Sequence, residues 1–369
     1  MTKENESEKS GYGGFSDNPL MLGYDNQIFE GDKDLGFRFP EWKVISSKGF
    51  VSLEEVIRKT KGNTGYTTIL NVGDSSTSGW DSNQTFKGNK DTNAPFFNYK
   101  TYSDLLEEQL FANVINAGVP GYTSYQGRKN LKRLLKKLAT DNIKVDYVTI
   151  YFGNNDCAYN KIEDRVRIDR KQPSERNSGE RVSVKDYKRN LKSIIETARE
   201  YGVKPVLIVP PVHYDWEPGI RADKHREESI EILKQLGDCP LTRELQIAKE
   251  LYDQKKYKQA CQTERVLPRL KKEYKKALIW VARETKTDLI DVQNQIPLTE
   301  NSEYFADYCH PLEKVNQMIV DKFRKIRSRD LFHKPIKEKV FGFLKKENNK
   351  KEYLKCQSPT PPSNIYTLY

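Results

Sequence analysis

The sequence predicts an α/β protein: a mostly parallel sheet of five strands with helices on both faces. Three observations carry that expectation. Five short runs of β-branched and aliphatic residues recur along the chain, amphipathic segments at helical spacing separate them, and most of the runs end in Gly, Asn, Asp or Pro. Strands that alternate with helices are joined by crossovers and therefore lie parallel.

Taken in order, TTILNV at 67–72 reads as the first strand and YSDLLEEQL at 102–110 as a helix. NVINAG at 113–118 is a short strand. TSYQGRKNLKRLLKKLA at 123–139 places Leu131, Leu134, Leu135 and Leu138 on one side of a helix. VDYVTIYF is the third strand, VSVKDYKRNLKSIIETAREYG a helix stopped by Gly202, and KPVLIVPP a fourth strand closed by prolines. TDLIDV is the fifth strand, and a last helix repeats Leu312, Val315, Ile319, Phe323 and Ile326 at helical spacing.

The remaining segments divide the chain further. Residues 1–65 read as an amino-terminal extension, disordered through about residue 18 and then an irregular, aromatic-bearing arm on the body; 66–330 form the main domain. A polar loop, 160–182, and a helical insertion, 213–286, interrupt that domain. LQIAKELYDQKKYKQACQ, inside the insertion, resembles one tetratricopeptide-type unit, but such folds need about three copies to bury a continuous core. Residues 331–369 form a basic tail.

Composition narrows the class. The 369 residues are 36% apolar and 31% charged, long enough to bury a large core, with a mean hydropathy of −0.81. No apolar run approaches the roughly 20 residues that span a bilayer, and MTKENESEKSGYGG lacks a signal-peptide core, so a cytoplasmic location is expected by default. Five scattered cysteines with no CxxC pair suit free thiols in a reducing compartment. Much of the net charge of +11 is local: residues 321–351 hold twelve Lys or Arg against four Asp or Glu. Val340, Phe341, Phe343 and Leu344 among those lysines leave a weak contact with an anionic membrane surface open. No segment resembles a nucleic-acid-binding module.

A parallel sheet places its site at the carboxyl ends of its strands. Those ends supply Gly73-Asp74-Ser75, then NAGVPGYTS at 116–124, then Gly153-Asn154-Asn155-Asp156; DYCHP at 307–311 precedes the last helix. A serine hydroxyl attacks at neutral pH only when an imidazole takes its proton and a carboxylate holds that ring in the right tautomer. Ser75, His310 and Asp307 fit those needs. The N–H groups of Ser75 and Gly121 and the Asn155 amide are suited to hold an oxyanion. Each block alone reads as an ordinary turn or helix entry; four in this order, on these elements, do not.

Together the four blocks resemble the SGNH (GDSL-type) hydrolase family over about residues 66–157 and 185–327. The resemblance implies a flavodoxin-like three-layer α/β/α fold and hydrolysis of esters or thioesters, with no metal or other cofactor. Carried across, it makes Ser75 the nucleophile, His310 the base, Asp307 its orienter, and Gly121 and Asn155 oxyanion donors. Gly121 is preferred to Gly118 because it opens the segment that leads into the helix. Ser76 stands where the family motif often has leucine, a position that packs rather than reacts. A short-chain acyl or O-acetyl ester of a carbohydrate or other small molecule is the expected substrate. An O-acyltransferase with the same triad and a silent partner-binding scaffold are the alternatives. His213, Tyr214 and Trp216 are weak candidates for lining a substrate pocket.

Overall fold

The computed structural model describes residues 29–39, 43–46, 49–79, 99–159, 164–165, 179–221 and 226–333. The first 28 residues and the basic tail from 334 onward lie outside the described residues, as does most of the polar loop 160–182.

The main sheet has seven strands, two more than the sequence predicts. Its parallel part is β6 (Asn113–Asn116), β5 (Thr68–Gly73), β7 (Tyr147–Tyr151), β8 (Lys204–Ile208) and β9 (Asp288–Ile290), side by side in that order. This is the predicted set of five. The extra pair, β3 (Lys43–Ser46) and β4 (Gly49–Ser52), adds an antiparallel edge beyond β6, with Ile45 opposite Asn116. The segment expected to be an irregular arm therefore extends the sheet and continues into helix α1 (Leu53–Gly62), capped by Ser52 Oγ on the Glu55 N–H at 3.1 Å. Short strands broken by Gly, Pro and Lys gave little periodicity from which to read this. A small antiparallel pair, β1 (Glu30–Asp32) and β2 (Gly36–Arg38), lies apart from the sheet.

Alternation along the strands assigns the two faces. Leu70, Val72, Val148, Ile150, Leu207 and Val209 join one core. It is covered by α4 (Ser124–Thr140), α5 (Val184–Glu200) and α9 (Lys272–Glu284), through Leu131, Leu134, Leu138, Leu191, Ile194, Leu278 and Val281. Ile69, Tyr151, Val206, Ile208 and Ile290 point the other way, against α3 (Tyr102–Leu110) and α10 (Glu313–His333). The predicted α/β class with helices on both faces is what forms.

Between β8 and α9 the chain adds α6 (Arg226–Gln235), α7 (Pro240–Asp253) and α8 (Tyr257–Thr263). The α7 and α8 helices pack on each other, and the single tetratricopeptide-like stretch is this one pair. Helix α9, counted within the insertion from the sequence, is instead the crossover helix of the main layer and packs on α5. No helix among the described residues is long and apolar enough to cross a membrane. The four cysteines among the described residues carry free thiols.

Helix α4 and the end of β7 approach so closely that Gly127 has no room for a side chain. A Cβ there would lie 2.2 Å from the Phe152 ring, which is itself buried. Gly127→Ala is expected to lower stability by about 1–3 kcal/mol, the range for overfilling a packed core. Urea unfolding followed by circular dichroism checks this, as a lower midpoint at unchanged slope.

Candidate active site

Strand β5 ends at Gly73, and Asp74 caps the short helix α2 (Ser75–Ser78). Asp74 Oδ1 accepts from the Ser76 N–H at 2.9 Å, and its backbone carbonyl accepts from Thr77 and Ser78 at 3.1 and 3.0 Å. Close approach fixes Gly73: a Cβ would stand 1.9 Å from Thr77 Oγ1 and 2.7 Å from the Tyr151 carbonyl. Ser76, Thr77 and Ser78 are buried, and Ser78 Oγ donates back to the Ser75 carbonyl at 3.0 Å. Ser75 is half-buried, so it is the one hydroxyl of the four beside open space.

The imidazole that meets it comes from the loop before α10. Asp307 Oδ1 accepts from the backbone N–H groups of Cys309 and His310, both at 2.9 Å, and Oδ2 lies 2.6 Å from His310 Nδ1. A carboxylate only accepts, so Nδ1 carries the ring proton and Nε2 of the neutral ring holds a lone pair. That lone pair faces Ser75 Oγ at 2.8 Å. His310 is 2% exposed and Asp307 is fully buried, so water does not compete for these bonds.

On the other side of Ser75 stand the second and third strand ends. Asn116 Nδ2 donates to the Thr77 carbonyl at 2.9 Å while its Oδ1 accepts from the Gly118 N–H at 3.1 Å, tying this loop to α2. Gly118 is a packing glycine, since a Cβ would come within 2.4 Å of the Ser78 nitrogen. Gly121 has φ +77°. Among the described residues, the N–H groups of Ser75 and Gly121 reach no protein acceptor. The Asn155 amide donates to the Tyr122 carbonyl at 3.1 Å and reaches Asp74 Oδ2 at 3.5 Å, the outer limit of a hydrogen bond. Asp156 takes no part in that cluster: its carboxylate caps α4 through the Ser124 N–H at 3.0 and 3.1 Å.

The three weak pocket candidates lie elsewhere. His213 is buried behind the Asp307 backbone; Tyr214 packs half-buried on the core; Trp216 covers Leu267, Tyr308 and Cys309. Sequence reading also missed two buried ion pairs. Asp164 and Arg181, at the two ends of the polar loop, join at 3.0 Å, and Asp164 Oδ2 accepts from Thr123 Oγ1 at 2.8 Å at the start of α4. Arg269 pairs with Glu264 inside the insertion. Polar segments give no periodicity, so nothing in them marked these charges as internal.

Asp307, Cys309 and His310 come close enough to share a cation. Asp307 already accepts three N–H bonds, and burial pushes the Cys309 thiol well above its usual range, so this donor set suits hydrogen bonding better than a metal. Burial likewise pushes the Cys157 thiol up to about 12, which leaves it unreactive.

Known proteins resemble part of this chain. The model of the GDSL-like Lipase/Acylhydrolase family matches residues 72–239, a segment holding the first three blocks and ending before Asp307 and His310. No curated protein matches. Similar solved structures include a lipase/acylhydrolase from Enterococcus faecalis, 22% identical over 71% of this chain and 96% of its own, with a TM-score of 0.39. A GDSL-like lipase from Bacteroides thetaiotaomicron is 14% identical over 75% and 97%, at 0.40. A catalytic mutant of an acetylxylan esterase from Geobacillus stearothermophilus is 15% identical over 70% and 93%, at 0.36. The resemblance read from the four blocks agrees with this match: over residues 72–239 the chain is similar to the GDSL-like Lipase/Acylhydrolase family.

Burial raises the carboxyl pKa of Asp74 to about 6 and that of Asp156 to about 7, from an ordinary 3.8. A raised pKa means the folded state binds the proton more tightly than the unfolded state. The resulting stability is complete below about pH 4 and is lost as pH rises toward 7. Asp156→Asn removes the larger share, so its melting temperature should fall less than the wild type's between pH 4 and pH 8. Calorimetric scans across that range check this, and parallel curves would count against it.

Proposed function

We propose that the chain is a serine esterase or deacylase that hydrolyses an acyl ester through an acyl-enzyme on Ser75. One observation carries this reading: the unbroken line from Ser75 Oγ through His310 Nε2 and Nδ1 to Asp307 Oδ2, at 2.8 and 2.6 Å. Ser75 Oγ attacks the ester carbonyl as its proton passes to His310 Nε2. Asp307 stabilises the imidazolium through the proton on Nδ1. The carbonyl oxygen, now an anion, takes the place open to the Ser75 and Gly121 N–H groups, and the Asn155 amide turns toward it. His310 gives its proton to the leaving alkoxide, which departs as the alcohol. Water then repeats the sequence on the acyl-enzyme, releasing the acid and restoring Ser75.

The favoured substrate is a short-chain acyl ester, with O-acetyl groups on a carbohydrate as the leading case. The polar composition of residues 160–182, which follow the third block, suits a hydrated alcohol part.

Ser75→Ala should abolish turnover of an acetyl chromogenic ester and labelling by a fluorophosphonate while the circular dichroism spectrum is retained. Wild-type activity in that variant would sink the assignment. Asn155→Ala should lower kcat by roughly 10² to 10³, the usual loss for one oxyanion donor. Stopped-time assays with acetyl through decanoyl esters of one alcohol measure both that loss and the acyl preference, expected to fall as the chain lengthens.

A further inference from the structure

His213 stands behind the carboxylate of the Ser75 line rather than in front of it. Its Nδ1 lies 2.7 Å from the backbone carbonyl oxygen of Asp307. A carbonyl only accepts, so the ring must donate there. Nε2 faces Asp215 Oδ1 at 3.0 Å, and the ring stacks on Phe305 with centroids 4.8 Å apart at 15°. Only 6% of His213 is exposed, so these contacts define one ring position.

The insertion holds His213 in turn. Arg269 Nη1 donates to the His213 carbonyl at 3.0 Å and to the Trp216 carbonyl at 3.2 Å. Its partner Glu264 is fully buried and accepts from the Gly219 N–H at 3.1 Å. The same stretch grips the loop after β7: the Leu270 N–H donates to Asn154 Oδ1 at 3.0 Å, and the Cys157 thiol donates to the Arg269 carbonyl at 3.1 Å. Residues 264–270 therefore reach both sides of the site, the Asn154-Asn155 loop directly and the Asp307 loop through His213.

We propose that His213 is a positioning residue: its hydrogen bond to the Asp307 carbonyl sets the depth of the loop so that Oδ2 meets His310 Nδ1. The proposal rests on the reading of Ser75, His310 and Asp307 as the reacting line. The Asp307 side chain spends its Oδ1 on its own loop, on the Cys309 and His310 N–H groups, and those bonds move with the loop. The bond from His213 comes from a separate segment and references the loop to the body. The aromatic stack alone would fix a plane but not the height of the Asp307 peptide.

Two amides separate hydrogen bonding from bulk. Asn places its side-chain N–H near the position of Nδ1, whereas Gln places it near Nε2, so His213→Asn keeps the donor to Asp307 and His213→Gln loses it. Gln is nevertheless the larger side chain. The experiment measures kcat and KM on an acetyl ester, the rate of fluorophosphonate labelling, and the downfield proton NMR signal of His310 Nδ1–H. In His213→Gln and His213→Ala, kcat and labelling should fall about 10- to 100-fold with KM within about twofold, as for a reacting group misplaced by about 1 Å. His213→Asn should stay within about threefold of wild type, and its downfield signal should stay in place while that of the Gln and Ala variants shifts or disappears.

If Gln matches or exceeds Asn, or if all three variants keep wild-type kcat and an unmoved signal, the proposal is overturned. The Asn and Gln pair decides the matter even if His213→Ala fails to fold. Turnover surviving in Ser75→Ala would instead remove the reading of the reacting line; the NMR signal, which needs no substrate, would still decide whether His213 holds Asp307.

Discussion

A hydrogen bond of 2.8 Å joins His310 Nε2 to Ser75 Oγ across 235 positions of sequence, and the rest of the architecture serves that contact. Ser75 follows β5 near one side of the parallel sheet, whereas the loop bearing His310 leaves β9 at the far edge. Three inter-strand spacings of about 4.8 Å separate those strands, so the chain must run roughly 14 Å along the carboxyl edge before it turns back. Helix α10 makes that return possible by packing on α3. Gln109 and Gln317 bond each other there, and Asn316 Nδ2 donates to the Lys100 carbonyl at 3.1 Å. The apolar row of α10, including Val315, Ile319 and Phe323, thus places the imidazole as well as filling a core.

Gathering polar groups at strand ends under a packed sheet has an energetic consequence. Asp74, Asp156, Asp307, Asn154 and Asn155 are all buried, and each would be costly without partners. Backbone N–H groups near in sequence (Ser76, Cys309, His310) and far from it (Ser124, Leu270) supply many of the partners. Beneath them, Asn71 donates to Ser103 Oγ at 2.8 Å and accepts from Thr149 Oγ1 at 2.6 Å, so even the centre of β5 and β7 is polar and satisfied. A site built this way is rigid because any displaced side chain leaves a neighbour unpaired.

The legible parts of this protein were those with a period or a motif. The parallel strands and the helices α3, α4, α5 and α10 announce themselves through apolar spacing, and the four strand-end blocks bring Ser75, Asn155, Asp307 and His310 into one cluster. Strands β3 and β4 were not legible: four residues each, interrupted by glycine and lysine, they pair with each other and join the sheet through Ile45 opposite Asn116 of β6. Likewise nothing in the sequence marks Arg181 and Arg269 as buried, since a side chain's burial depends on which distant segment folds over it. His213 lay in an aromatic cluster that suggests a pocket wall, and only the fold turns that ring toward the Asp307 backbone. Asp74 stood in plain view in its motif, yet its reach toward Asn155 needs the third strand in place.

The order of the strands also sets an order in time. A ribosome delivers a chain from its amino end, and the central strands β5, β6 and β7 can pair well before β9 and α10 exist. Until residue 310 has emerged and α10 has docked on α3, the Ser75 hydroxyl faces no imidazole. A nascent chain therefore carries the serine in its final turn with nothing to draw off its proton until α10 docks.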